Sequence, residues 1–197
     1  RWILDTLLSI EAIDCIVVNT DAREILKANG LEESARVLIR DRKPELCGDL
    51  VSMNKVLEDD INNVNSETYV MTHTTNPLIS STTINNAINA YLKGLSSDYD
   101  SLFSVNKFQT RFYRRDGEPV NHDPNNLLRT QDLEPWYEEN SNLYIFSRNS
   151  FSTTKARIGK TPILFETPTI ESQDIDNRID WRIAEIMALA AMLARSH

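Results

Sequence analysis

The run "DCIVVNTD", residues 14–21, decides the fold. It is too short for a helix and rich in β-branched residues, so it predicts a strand buried on both faces, the kind found in parallel sheets. Before it, Trp2, Ile3, Leu7, Leu8 and the stretch Ile10 to Ile13 place apolar residues at helical period with no cap ahead of them, so the chain opens inside a helix. After it, helix-like 22–31, strand-like 36–40, helix-like 50–64, strand-like 67–73 and helix-like 80–93 alternate. Alternation of this kind is the signature of an α/β fold with a mostly parallel sheet.

Beyond Gly94 the pattern changes. "SLFSV" and "FQTRFYRR" are extended runs, and "RRDGEPV" is a turn that lets a hairpin fold back. Residues 121–142 are polar and turn-rich, which predicts a long ordered loop or arm; such loops inside compact domains commonly carry function. "LYIFS" and "PILFE" return to the core. Residues 176–196 form a final amphipathic helix with Ile179, Ile183, Met187, Ala190 and Leu193 on its core face. Repeats, low-complexity segments and linkers are absent from the sequence, so residues 1–197 are expected to form one domain.

Composition narrows the partners. Lys and Arg total 21 against 29 Asp and Glu, a net charge of −8 that disfavours non-specific binding to nucleic acid or anionic membrane. An anionic ligand therefore needs a local basic patch. The longest apolar stretch, Ile186 to Ala194, is far short of the roughly 20 residues that span a bilayer, and nothing resembles a signal peptide, so a cytoplasmic location is expected. Cys15 and Cys47 are too few and too far apart for a disulfide framework or zinc cluster, and read as reduced packing residues.

Several clusters could carry chemistry. "RIGKTP", residues 157–162, ends as a P-loop does, but Thr154 stands where the first glycine is required and a strand follows where a helix should begin. In "SQDIDNRID", residues 172–180, Asp174 and Asp176 alternate at i and i+2, so on an extended segment both can offer carboxylates to one hard cation such as Mg2+. Equally, Asp176 can cap the last helix while Asp180 sits in its first turn. The stretch 129–144 concentrates Arg129, Gln131, Asn140 and Tyr144: an arginine can grip a carboxylate bidentately, and the two amides offer both donor and acceptor. A solvated loop accounts for the same residues. His73, in "HTTNPL", lies at the C-terminal end of a predicted parallel strand, where open α/β sheets place ligands, though a structural histidine fits there too. Arg40 ends another strand, and Asp49 and Ser52 lead into a helix that either could cap. His122 and His197 read as loop and terminal residues. The sequence holds no Ser-His-Asp, Cys-His, HExxH or CxxC arrangement.

Taken together, "VVNTD", "LIRDRKPEL…D..S", "HTTNPL", "RTQDLEP.YEENS.LY" and "S.DID…D…AE" resemble, in order and spacing along nearly the whole chain, the acylneuraminate cytidylyltransferases, also called CMP-sialic acid synthetases. The resemblance implies a Rossmann-like nucleotidyltransferase sheet with helices on both faces, and a homodimer whose protruding arm, here roughly 106–140, reaches the neighbour's sugar pocket. It implies transfer of CMP from CTP to a 2-keto-3-deoxy sugar acid with release of pyrophosphate. By position, Arg40 and Ser52 would read the cytosine, and Asp174 and Asp176 would be the catalytic carboxylates that hold Mg2+. His73, Gln131, Asn140 and Tyr144 would bind the sugar, with Arg129 and Arg111 arriving from the partner subunit.

The family's opening strand and its nucleotide loop, typically "PARGGSK…KN", have no counterpart before Arg1, which implies either a fragment or a chain of doubtful activity. His73 stands where the family usually has glutamine, and "ENSNLY" replaces "PNGAIY", with Ser141 and Asn142 at the small-residue positions. A substrate related to sialic acid, another nonulosonic acid, is therefore expected. The alternatives are a noncatalytic or truncated paralogue serving as a dimer subunit, and a sibling nucleotidyltransferase for another keto-acid sugar.

Overall fold

The computed structural model describes residues 1–194, with side chains through Ala191; Leu193 and His197 of the expectations above lie outside the described side chains. Helix α1 (Trp2–Leu8) leads to strand β1 (Ile16–Thr20), then α2 (Arg23–Ala28), β2 (Val37–Asp41), α3 (Met53–Asn63), β3 (Thr68–Thr72) and α4 (Ser81–Gly94). After these come β4 (Ser101–Phe108), β5 (Trp136–Ser147), α5 (Arg148–Thr154), β6 (Pro162–Glu166) and α6 (Arg178–Ala194). The strands form two sheets, a β1-β2 pair and a four-stranded sheet in the order β3-β5-β4-β6.

The expected α/β alternation is present, but the sheet is more mixed than expected. β1–β2 and β4–β6 pair in parallel, whereas β5 runs antiparallel to both β3 and β4. The cause is the excursion between β4 and β5: a chain that leaves a strand and returns beside it without a helical crossover comes back antiparallel. β1 also departs from its expected burial. Only Ile16 is buried, and the rest of the strand is intermediate, because β2 is its single partner among the described residues. Cys15 precedes the strand and is exposed, so it is free but does not pack; Cys47 is free and half-buried.

β5 organises the core through its period of two. Leu143 and Ile145 face α1 and α4, where they join Ile3, Ile10, Ile79, Ile84, Ala87, Tyr91 and Leu102. Tyr144 and Phe146 face the other way and join Ile61 of α3 and Phe151 of α5. Helices thus cover both faces. α4 presents Ile84, Ala87 and Tyr91 on one stripe and starts at Ser80, whose hydroxyl accepts from Thr83 N–H at 3.1 Å. Each fully buried aliphatic side chain here contributes about 1.5–3 kcal/mol of transfer free energy. α1 also joins the two sheets, since Leu4 packs with Ile16, Val37 and Ile39.

Among the described side chains of α6, Ala184 and Ala188 are buried, while Ile179, Ile183, Ile186 and Leu189 are exposed. The expected core face of Ile179, Ile183, Met187 and Ala190 is therefore rotated outward. Apolar residues surround this helix, so period alone does not choose a face, and the small alanines let it approach most closely.

The excursion is half strand. Trp136–Asn142, expected as loop, extends β5; Trp136 to Glu139 pair with β4, and residues 140–142 fall at the register shift opposite Phe103 to Val105. The hairpin turn is present as a tight loop: Arg114 N–H donates to Glu118 O at 2.8 Å, and Gly117 takes φ +89°, which a residue without Cβ adopts freely. Phe112 stacks on Trp136 with ring centroids 5.4 Å apart, and Tyr113, Leu127, Leu128 and Tyr137 remain exposed. Among the described residues, no helix is long and apolar enough to cross a membrane.

Candidate functional site

β3 and β5 carry the floor of the site. Met71 pairs with Tyr144, so the chain leaving β3 at His73 passes next to the Tyr144 ring, and the two rings meet edge-on at 6.3 Å. Arg157, in the loop after α5, closes over them. Its guanidinium carbon lies 3.9 Å from the Tyr144 ring centroid, Nη1 is 3.3 Å from His73 Nε2, and Nη2 is 3.3 Å from Glu139 Oε1. The Tyr144 hydroxyl donates a short hydrogen bond to the same Glu139 oxygen. Arg157 N–H in turn donates to Asn54 Oδ1 at 3.3 Å, which brings the N-terminus of α3 to the cluster.

These contacts set the protonation states. Burial, followed by the bond to Glu139, pushes the Tyr144 phenol up to about 12, so it is a donor throughout the physiological range. Burial and the adjacent guanidinium lower His73, with Asp174 and Glu139 opposing more weakly. A guanidinium can only donate, so Nε2 of a neutral His73 is the acceptor and Nδ1 carries the proton. His73 therefore offers one N–H to a ligand.

The charge of Asp174 is felt at His73, so the segment before α6 and the end of β3 lie close together. The link is a backbone bond from Ile175 N–H to Thr75 O at 2.9 Å. Among the described residues, the Asp174 carboxylate accepts from the Ile175 N–H alone, at 3.0 Å, while the Asp174 carbonyl accepts from Gln173 Nε2 at 2.8 Å. Asp176 is exposed and is not the helix cap: Asn177 accepts from the N–H groups of Ile179 and Asp180, and Asp180 reaches back to Asn177 N–H, the reciprocal pattern of a capping box. Among the described residues, neither the Asp174 nor the Asp176 carboxylate pairs with a cationic side chain. No group of three or more His, Cys, Asp or Glu residues among the described residues could hold a metal by itself. Two carboxylates nonetheless suit Mg2+, which takes one or two from protein and the remainder from phosphate and water.

Arg40 is held between two acids. Its Nη2 lies 2.7 Å from Asp59 Oδ2 and its Nε 3.0 Å from Asp60 Oδ1, with Lys43 also 2.6 Å from Asp59. The hydrogen-bonded Lys43 ammonium holds Asp59 below its ordinary value, while burial pushes Asp60 up against the Asn19 amide that donates to it. Ser52 caps α3, accepting from Asn54 N–H at 3.3 Å. Asn54 also binds Arg157, so Ser52 sits at the margin of the cluster.

The remaining candidates divide. Asn140 is 8% exposed and its amide is spent inside the protein: Ser104 Oγ donates to its Oδ1 at 2.6 Å, and its Nδ2 donates to Thr167 Oγ1 at 2.7 Å and Asn106 Oδ1 at 3.0 Å. It ties β4, β5 and the end of β6 together instead of lining the pocket. Arg111 donates to Leu128 O at 2.5 Å, Arg129 grips Asp132 with both ends of its fork at 2.7 and 3.1 Å, and Gln131 is exposed. The bonds of these arginines stay on the arm. Two residues escaped the sequence reading, Arg157 and Glu139. Arg157 belonged to a stretch set aside for failing the P-loop spacing, and only the packing of the post-α5 loop on β5 reveals it.

A family model described as cytidylyltransferase matches residues 1–192. An N-acylneuraminate cytidylyltransferase of Oncorhynchus mykiss is 26% identical over 193 residues, covering 93% of this chain and 43% of that protein. The chain thus spans less than half of that relative. The post-translational flagellin modification protein B of Campylobacter coli is 25% identical over 185 residues, 87% of this chain and 76% of its own length. Among solved structures, a 4-diphosphocytidyl-2C-methyl-D-erythritol synthase from Anaerococcus prevotii superposes with a TM-score of 0.67 at 12% identity, covering 95% of this chain and 83% of that one. A CMP:2-keto-3-deoxy-manno-octonic acid synthetase complexed with CTP gives 0.55 at 12% identity, covering 96% and 86%. At these identities the structural likenesses speak for the fold alone.

Proposed function

Because the chain belongs to the cytidylyltransferase family, we propose that the whole protein transfers CMP from CTP to a 2-keto-3-deoxy sugar acid, sialic acid or a related nonulosonic acid, and releases pyrophosphate. The observation that carries this reading is the convergence of Asp174 and His73 at the C-terminal end of β3, a carboxylate free for a cation beside a histidine free to donate to a sugar. The acidic-sugar half also draws on the curated relatives, one of which is named for N-acylneuraminate.

In this reading Asp174 and Asp176 hold Mg2+, which would neutralise charge on the triphosphate as pyrophosphate leaves. The chain's own residues position the reactants. His73 Nδ1–H donates to an oxygen of the sugar acid, and the Tyr144 ring forms the floor beneath it. Ser52, with its backbone neighbours at the start of α3, faces the base, and Arg40 reaches it with the Nη1 that its acid partners leave. No covalent intermediate on the protein is required, and catalysis is chiefly positioning and electrostatics.

Arg111, Gln131 and Arg129 serve the sugar pocket of a second subunit in a homodimer, supported by their location on an arm whose Tyr113, Leu127 and Leu128 are exposed. The outer edges of β1 and β3 have no strand partner among the described residues, and each presents backbone groups to which a further strand can pair. A cytoplasmic site of action fits a reaction on soluble nucleotides.

Pyrophosphate release by the full-length protein from CTP and Mg2+, with a panel of keto-deoxy sugar acids, tests the reading. Release that requires both CTP and one sugar acid supports it. Silence across the panel from a folded protein favours the noncatalytic subunit, and release only with a sugar phosphate favours a sibling nucleotidyltransferase.

A further inference from the structure

Arg157 and Glu139 are not needed by the nucleotide and metal roles above, yet they are the most tightly fixed charged groups beside His73. The guanidinium is set by the Tyr144 ring beneath it, by His73 Nε2 and by Glu139 Oε1, and the backbone of Arg157 is pinned to Asn54. The pair is not sealed: the Arg157 side chain is 20% exposed and that of Glu139 is 40% exposed. Among the described residues, Arg157 Nε and Glu139 Oε2 have no hydrogen-bond partner. A charged donor and a charged acceptor thus stand side by side at the solvent edge of the cluster, already ordered, so binding through them costs little further side-chain entropy.

A ligand group that complements such a pair carries an acceptor and a donor on neighbouring atoms in one plane. An acylamido group does so with its C=O and N–H, whereas a hydroxyl offers a single oxygen to both. We propose that Arg157 and Glu139 form a fork that recognises an acylamido substituent of the sugar acid, its carbonyl accepting from the Arg157 guanidinium and its N–H donating to the Glu139 carboxylate. This rests on the sugar-acid reading above and adds to it a determinant of which sugar acid is chosen. A site built to hydrogen-bond a substrate group discriminates against the analogue that lacks it, and because this pair is partly exposed and water can stand in for the missing group, the expected factor is about tenfold and not that of a sealed site.

The test is binding of two nine-carbon keto-deoxy sugar acids that differ at one carbon, acetamido in one and hydroxyl in the other, to the full-length protein by calorimetry. The wild type should prefer the acetamido compound by at least about 10-fold, roughly 1.4 kcal/mol. Arg157→Met and Glu139→Gln should each reduce that preference to under about threefold, leave CTP affinity within about twofold, and Arg157→Lys should restore only part of it. Should Arg157→Met lose its fold, Glu139→Gln, which still accepts from Tyr144, decides alone. An unchanged preference in Glu139→Gln, equal losses for CTP and sugar acid, or no preference in the wild type would overturn the fork. Pyrophosphate release separates the two failures: a protein that prefers the acetamido compound but turns over no CTP refutes the transferase and leaves the fork standing. Turnover with an unchanged preference in the variants does the reverse.

Discussion

The Arg157 guanidinium lies 3.9 Å above the ring of Tyr144, and both residues bind one oxygen of Glu139, so the phenol is buried under a cation yet hydrogen-bonded to a carboxylate. Burial outweighs the cation, and the phenol ionises at about 12 instead of its ordinary value of 10. Because the folded value is the higher one, this group's contribution to stability is complete below pH 10 and is lost as pH rises towards 12. Ultraviolet titration of tyrosinate should show a last step near 12 that Tyr144→Phe removes; loss of a step near 10 instead would contradict the placement.

Among the described residues, the Asp174 side chain bonds only to the N–H of the following residue, so Asp174→Asn should leave the melting temperature within a few degrees of wild type. Turnover should fall roughly 100-fold or more, the scale of lost charge stabilisation on a phosphoryl group. Unchanged Mg2+-dependent turnover would remove Asp174 from the site.

Asn140→Ala should act on the fold and not on the substrate. Its amide bonds to Ser104, Thr167 and Asn106, and deletion leaves buried partners unsatisfied, at a cost of about 1–3 kcal/mol. Urea unfolding should show that loss while KM for the sugar acid stays within about twofold; a tenfold rise in KM at unchanged stability would return Asn140 to the pocket.

Ser141 adopts φ +57° between Asn140 and Asn142, where the family resemblance has glycine. A left-handed conformation costs a residue with Cβ about 1–2 kcal/mol, partly offset by the greater chain entropy of glycine. Ser141→Gly should therefore stabilise the protein by roughly 0.5–1 kcal/mol in thermal or urea unfolding, and destabilisation would mean that the Ser141 hydroxyl near Tyr144 matters more than the backbone.

Among the described residues, Arg129 pairs with Asp132 alone, on the exposed arm, and exposed pairs of this kind contribute little. Arg129→Ala should leave stability unchanged and, if the arm serves a neighbouring subunit, raise KM for the sugar acid several-fold more than KM for CTP. Equal effects on the two substrates would argue against the shared pocket.

The elements that could be read from sequence are those whose pattern is local. β6 appears at 162–166, where "PILFE" stands, and α4 follows its serine cap. Trp136–Asn142 escaped because the polar run from Glu138 to Asn142 does not alternate; it is strand by virtue of its pairing with β4 across a bulge. The face of α6 escaped because apolar residues ring it. His73 does follow a strand, but β3 pairs antiparallel with β5 and not in the expected parallel sheet, because parallel or antiparallel pairing is decided by the distant partner and not by the strand's own residues. Asn140 shows the limit of residue type: an amide suited to sugar is here the knot of a buried network. Arg157 and Glu139 meet only through the tertiary packing of the post-α5 loop on β5, which no spacing in the chain records.

Transfer of CMP to a sugar acid would move the α-phosphorus of CTP out of the triphosphate and give it a distinct signal. Phosphorus NMR of the full-length protein with CTP, Mg2+ and a keto-deoxy sugar acid should show that signal move into a phosphodiester of a CMP-sugar as an equal amount of pyrophosphate appears. An α-phosphorus that stays in CTP, or emerges as free CMP without a sugar adduct, would contradict the account.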